Sequence, residues 1–234
     1  MKEKNIAIFG YKDASVGQLI NMLDKKFRKR LNCIISLHKI RNLRIKDEHK
    51  KRPNKKTEFI IKNKIFNLPV FDTKNFINIL KKRKIKNAFV FEDRGTDRSI
   101  IFKKLKKEKL NILSFIHSSV KLMGKNNIGE GVIIFPDCYV GYKSDIGDGC
   151  FIQSGCRIEH HNNIGKFCDI NPCLTTGGFT KINDFCQISI KVCIVNKISI
   201  GSHSKIGAGS LVLKNIKNNE LHYGVPTKLI KKLK

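Results

Sequence analysis

Residues 128–170 read IGEGVIIFPDCYVGYKSDIGDGCFIQSGCRIEHHNNIGKFCDI, and an apolar residue returns at every sixth place. Extended in both directions, the register runs Leu122, Ile128, Ile134, Val140, Ile146, Ile152, Ile158, Ile164, Ile170, Thr176, Ile182, Ile188, Ile194, Ile200, Ile206 and Val212. Fifteen of these sixteen are Ile, Leu or Val, Thr176 is the exception, and no insertion breaks the count. A second register lies two residues earlier and is mostly small: Val132, Cys138, Ser144, Cys150, Cys156, Asn162, Cys168, Leu174, Thr180, Cys186, Val192, Ile198, Ser204 and Ser210. Residues two apart on a strand share a face, so each hexad offers one small and one large inward side chain. A period of six does not fit the 3.6-residue helix. Each hexad therefore predicts a short strand and a turn, stacked into coils because one strand cannot bury its face alone. Gly follows the large residue at 129, 141, 147, 165, 177, 201 and 207, which suits a turn of unusual dihedrals.

Five of the eight cysteines occupy the small inward slot, which reads them as core residues rather than metal ligands. No CxxC pair is present. The net charge is +28, and residues 1–115 carry 32 Lys/Arg against 11 Asp/Glu. No nucleic-acid recognition motif accompanies that charge, so it reads as solvated faces and loops, and no nucleic-acid partner is expected. No stretch approaches the roughly 20 apolar residues of a membrane span. Residues 1–10 lack the layout of a signal peptide, which predicts a cytoplasmic protein without membrane insertion.

The first half alternates strands and helices. Strands are predicted at 5–10, 33–37, 87–91 and 111–116, and helices at 15–30, 73–83 (with Thr73 as cap) and 97–108, with a charged loop at 39–64. This order implies a small Rossmann-like parallel sheet in an α/β domain. Ligands bind beyond the strand C-termini of such sheets, which points to the loop from Gly10 to Ser15. The alternative for that loop is a plain strand-to-helix turn.

The hexads resemble those of the hexapeptide-repeat acyltransferases, and Gly224-Val225-Pro226-Thr227-Lys228 resembles that family's closing segment. The resemblance implies a left-handed parallel β-helix of three hexads per coil, about five coils in all, assembled as a homotrimer with active sites between neighbouring prisms. A small α/β domain followed by Phe115-Ile116-His117-Ser118-Ser119-Val120 and hexads is similar to the bacillosamine, perosamine and sialic-acid type of sugar acetyltransferase. That type implies an α/β nucleotide-sugar-binding domain at 1–115, a β-helix acyltransferase domain at 116–215 and a C-terminal extension at 216–234, whose residues 229–234 read as a short helix.

Acetyl transfer from a thioester to an amine needs a base, oxyanion donors and a thioester slot. Ile158-Glu159-His160-His161-Asn162-Asn163-Ile164-Gly165 resembles the family stretch that carries the catalytic His, so His160 is the expected base. A surface or packing imidazole is the alternative. His161 stands where the family places an acidic partner, and a neutral imidazole there can still accept a hydrogen bond; Glu159 or Asp169 is the alternative acidic group. Gln153 matches a position near the acceptor amine. By the same resemblance, acetyl-CoA is the co-substrate: Asp169 meets the CoA arm, the Gly178 N–H faces the acetyl carbonyl, and Ile190 and Ala208 line the pantetheine groove. The nucleotide-linked amino sugar is expected at Gly10, Tyr11, Lys12, Asp13, Ala14, Leu37 and His38, where the family's Gly-x-x-Gly-His and Asp-Asp patterns are absent. The expected reaction is N-acetylation of a 4-amino-4,6-dideoxyhexose, without a metal. O-acylation of a sugar and a non-catalytic scaffold are the alternatives, and a carbonic anhydrase ranks last because His160, His161 and His203 are unsuitably spaced for zinc.

Overall fold

The computed structural model describes residues 4–10, 13–37 and 64–233. They form two compact units, residues 1–92 with 104–112, and residues 93–103 with 113–234.

The first unit is a six-stranded sheet. Its strands are β1 (Ile6–Phe9), β2 (Leu31–Ser36), β3 (Lys64–Ile65), β4 (Leu68–Asp72), β5 (Asn87–Val90) and β6 (Asn111–Ile112), in the order β3-β4-β2-β1-β5-β6. All neighbours pair in parallel except β3 with β4, whose two-residue turn, Phe66-Asn67, has positive φ at both positions. Every residue of β1 is buried, as befits a central parallel strand covered on both faces. Helices α1 (Asp13–Met22), α2 (Lys25–Arg28) and α3 (Ile77–Lys82) belong to the same unit. The helix predicted over 15–30 is therefore two, and Asp24 breaks it by accepting from the Phe27 N–H at 2.8 Å. Thr73 does not cap α3; its hydroxyl accepts from the Asn75 N–H before the helix begins. Predicted residues 39–63 of the charged loop lie outside the described residues.

The second unit is a parallel β-helix with three faces. Two-residue strands pair with partners eighteen residues away, Tyr139 with Arg157 on one face, Asp145 with Asn163 on the next and Phe151 with Asp169 on the third. Both registers point inward into one continuous core, from Val132 to Ile216. Two expectations are corrected. The strand predicted over 111–116 divides: Asn111–Ile112 completes the first sheet, whereas Phe115–Ile116 pairs with Ile133–Ile134 and opens the prism. Residues 228–232 form a strand antiparallel to Glu220–Tyr223, not a helix. A six-residue tail is too short for a stable isolated helix, while the edge at Lys205–Ile206 offers backbone partners to Glu220–Tyr223.

The repeating glycines serve close approach rather than unusual dihedrals. A Cβ at Gly141 would lie 2.5 Å from the His160 nitrogen of the next coil, and one at Gly147 would lie 2.8 Å from Gly165 C. The positive φ angles fall two residues further on, at fifteen successive sixth places from Lys125 to Gly209, with values between 51° and 73°. Four of those places are glycine; the rest, including His161, Phe167, Phe179 and Phe185, hold a left-handed conformation uncommon for bulky side chains.

Helix α4 (Gly95–Lys107) contributes residues 95–103 to this second unit. Arg98 is 1% exposed and pairs with Asp169 at 2.7 Å; it also donates to the carbonyls of Gly149 at 2.7 Å and Cys168 at 3.1 Å. Phe102 packs edge-on against Phe167, the first of three stacked rings, Phe167, Phe185 and His203. Among the described residues no helix is long and apolar enough to cross a membrane.

Candidate active site

The prism has three corners, each repeating every eighteen residues. One corner carries residues 141–144, 159–162 and 177–180, and there His160, His161 and Gly178 come together. The two imidazoles face each other through their Nδ1 atoms at 3.1 Å. One of those nitrogens must donate and the other accept. When His160 Nδ1 donates to His161, the lone pair of His160 lies on Nε2. That nitrogen is on the side of Gly178: a Cβ built there would lie 2.5 Å from His160 Cε1 and 2.7 Å from Nε2. The chain thus needs glycine at 178 for the His160 ring to occupy its place.

Aromatic rings wall the pair. His161 stacks on Phe179 with centroids 4.8 Å apart, and His160 meets the same ring edge-on at 5.3 Å. Tyr142 approaches His161 at 6.0 Å, and the Lys125 and Lys143 ammonium groups lie over the Tyr142 ring at 5.8 and 5.3 Å. Phe179 is half exposed, so its ring borders open solvent beside His160. The sequence reading missed Phe179 and Tyr142. Their signal was spacing, because each lies eighteen residues or nearly so from a histidine of the pair.

Behind the pair lies a buried polar group of Ser144, Asn162, Thr176 and Thr180. Asn162 donates through Nδ2 to Thr176 Oγ1, which also accepts from the Glu159 N–H. Thr176, the exception in the large register, sits within this group.

The other expected site residues lie elsewhere. Gln153 is at a second corner, where its Nε2 donates to Asn171 Oδ1 at 2.9 Å. Ile190 and Ala208 are exposed on the same corner, one coil apart. Asp169 is on a strand, buried and committed to Arg98, with Gly95 N–H and Gln187 Nε2 as further donors. Burial pushes its carboxyl up, and the Arg98 guanidinium opposes that shift. The Asp169 carboxylate is thus turned to Arg98 of helix α4, and its hydrogen-bond partners named here do not include His160. Gly10 follows β1 with φ +146°, and a Cβ there would lie 2.7 Å from the Phe91 carbonyl oxygen. Asp13 and Ala14 open α1, and Leu37 follows β2, so these positions cluster at the C-terminal ends of two adjacent parallel strands. Tyr11, Lys12 and His38 lie outside the described residues. Among the described residues no three His, Cys, Asp or Glu side chains are grouped to hold a metal ion.

Residues 127–160 match the family described as bacterial transferase hexapeptide (six repeats). No curated protein sequence matches the chain. Among solved structures, the chain is similar to PerB from Caulobacter crescentus, crystallised with CoA and GDP-perosamine, at 19% identity and a TM-score of 0.78, covering 97% of each chain. It is similar to the acetyltransferase domain of PglB from Neisseria gonorrhoeae, crystallised with acetyl coenzyme A, at 18% identity and a TM-score of 0.75, covering 97% of this chain and 100% of that one. WeeI from Acinetobacter baumannii matches at 15% identity and a TM-score of 0.56, covering 97% and 99%. The chain therefore carries the bacterial transferase hexapeptide repeat within a fold that PerB and the PglB acetyltransferase domain share over nearly its whole length.

Proposed function

We propose that the protein is an acetyl-CoA-dependent N-acetyltransferase acting on a nucleotide-linked amino sugar of the 4-amino-4,6-dideoxyhexose type. The observation that carries the reading is the His160–His161 pair set against Gly178. His161 takes over the orienting role of an acidic neighbour. By accepting at Nδ1 it holds His160 in the tautomer whose Nε2 is free to take a proton. His160 then removes the proton of the acceptor amine as its nitrogen attacks the acetyl carbonyl. The C–N bond forms, the oxyanion accepts the Gly178 N–H, and collapse breaks the C–S bond. The departing thiolate takes the proton back from His160. Support from the fold is that PerB was crystallised with CoA and GDP-perosamine, and that perosamine N-acetyltransferase was also crystallised as Asn and Ala variants of one histidine.

The separation of corners fits a homotrimer. In one chain Gln153, Ile190 and Ala208 sit on a different corner from His160 and Gly178. A neighbouring copy brings the two corners to one cleft, so that Ile190 and Ala208 of one subunit line the pantetheine arm beside His160 of the next. The nucleotide belongs at Gly10, Tyr11, Lys12, Asp13, Ala14, Leu37 and His38.

The test is incubation with acetyl-CoA and GDP-, UDP- or dTDP-linked 4-amino-4,6-dideoxysugars, with product mass as the readout. A mass gain of one acetyl group on the sugar amine is expected. His160→Ala should lower kcat by about 10²–10⁴-fold. Full activity of that variant would remove the base from the scheme.

A further inference from the structure

Thr176 is the one polar residue in the large inward register, and the proposed chemistry gives it no part. Its surroundings depart from the repeat. At other turns the N–H after the large residue bonds to the large residue's carbonyl one coil on: Gly141 to Ile158, Gln153 to Ile170, Gly165 to Ile182. Glu159 donates instead to the Thr176 side-chain oxygen at 3.1 Å. The strand pairing there is Arg157 with Thr175, whereas the flanking pairs on this face run over two residues.

The buried side chains take up what the backbone gives away. Ser144 Oγ donates to the Glu159 carbonyl at 2.6 Å and accepts from the Asn162 N–H at 3.0 Å. Asn162 Nδ2 donates to Thr176 Oγ1, and Asn162 Oδ1 accepts from the Thr180 N–H at 2.6 Å. Thr180 Oγ1 has the Gly177 carbonyl at 3.1 Å and the Val195 carbonyl at 3.3 Å as acceptors for its one hydrogen. The residues on either side of His160-His161, and those on either side of Gly178-Phe179, are thus held by one interior network. Burying an amide and three hydroxyls costs free energy unless all are bonded, and apolar side chains fill the equivalent large places in the other coils.

We propose that Thr176 and Asn162 are positioning residues for the His160–His161 pair, fixing the imidazoles against Gly178 through this network. The proposal rests on the reading of His160 as the base. Two readouts separate it from a structural role and from that reading. The first is ¹⁵N NMR of the imidazoles in the full-length protein, which reports the tautomer of each ring without any substrate. The second is kcat and KM with acetyl-CoA.

In the wild type, the two Nδ1 resonances should be distinct, one protonated and one not. Thr176→Val should collapse that distinction and lower kcat by about 10–100-fold with little change in KM, as expected for displacement of a reacting group. Thr176→Ser, which keeps the oxygen, should restore both. Ile182→Val, an equally buried change on another face, should lower the unfolding midpoint and move neither readout. Should Thr176→Val fail to fold, Asn162→Ser carries the same comparison. Wild-type imidazole spectra or wild-type kcat in Thr176→Val would overturn the proposal. A wild-type protein that acetylates no acceptor would instead sink the proposed function, and the imidazole spectra would still decide whether Thr176 orders the pair.

Discussion

Where the small inward slot holds Cys, Ser or Thr, the side chain fits the space and also donates. Cys138, Cys150, Cys156, Cys168 and Cys186 each direct Sγ at a carbonyl fifteen residues on, such as Gly165 for Cys150 at 2.8 Å and Gly201 for Cys186 at 3.1 Å. Ser144 and Thr180 do the same toward Glu159 and Val195. The neighbouring thiols of Cys150 and Cys186, together with burial, push the Cys168 thiol well above its ordinary range, so it stays a protonated donor. Cys186→Ser should therefore cost within about 1 kcal/mol, whereas Cys186→Ala should cost about 1–3 kcal/mol because the Gly201 carbonyl loses its thiol donor and keeps only the long Ser204 N–H at 3.4 Å, measured by urea unfolding. The sequence revealed these cysteines as core residues by their register alone. It did not reveal the carbonyl each one meets, because that partner depends on how coils stack. At the neighbouring corner, Gly178→Ala should displace the His160 ring and lower kcat by about 10²-fold while the fold persists, checked by activity against circular dichroism.

Helix α4 shows how an element is fastened by one residue. Arg98 has its guanidinium on a carboxylate and two carbonyls, all buried. Removing one partner of such a pair leaves an uncompensated charge and costs about 3–5 kcal/mol, so Arg98→Met alone should destabilise strongly, while Arg98→Met with Asp169→Leu should recover most of the loss. Thermal unfolding of the two variants checks this. The C-terminal strand pair makes a pH-dependent counterpart. The His222 ring, 2.9 Å from Glu220, holds the Glu220 carboxyl below its ordinary value, with the Lys217 N–H as a second donor. A depressed carboxylate lends stability above its unfolded pKa and loses it as pH falls through the folded one. Wild type and Glu220→Gln should accordingly differ in unfolding midpoint near pH 6 and converge at acidic pH.

Across the whole molecule, the reading rests on a site assembled from two corners. A mixture of two inactive variants tests it directly. His160→Ala spoils one corner and Ala208→Trp fills the other, so subunits of the two kinds, unfolded and refolded together, should recover activity that neither has alone. No recovery would mean that the two corners do not meet across a subunit boundary. The stacked short strands were legible from the inward residue at every sixth place, and the three hexads per coil from the resemblance to the hexapeptide-repeat acyltransferases. The sequence also pointed to His160, His161 and Gly178, which the structure brings together. The pairing of Asp169 with Arg98 was not legible, because a strand residue's partner on a distant helix has no period to betray it, and Arg98 lies 71 residues earlier in the chain. The tail at 228–232 was misread for a similar reason, since its strand is made by an edge that only the finished prism presents.

Eighteen residues, not six, is the unit that preserves a corner. Removal of residues 165–170, with Arg98→Met because Asp169 goes with them, would keep every later Ile in step and should still yield a folded prism by circular dichroism. Yet it would rotate Gly178 and all that follows by one face, leaving His160 opposite a different neighbour. Whole turns of the ladder can thus be added or removed beyond the site without turning it, whereas a change of a single rung between positions 160 and 178 silences it.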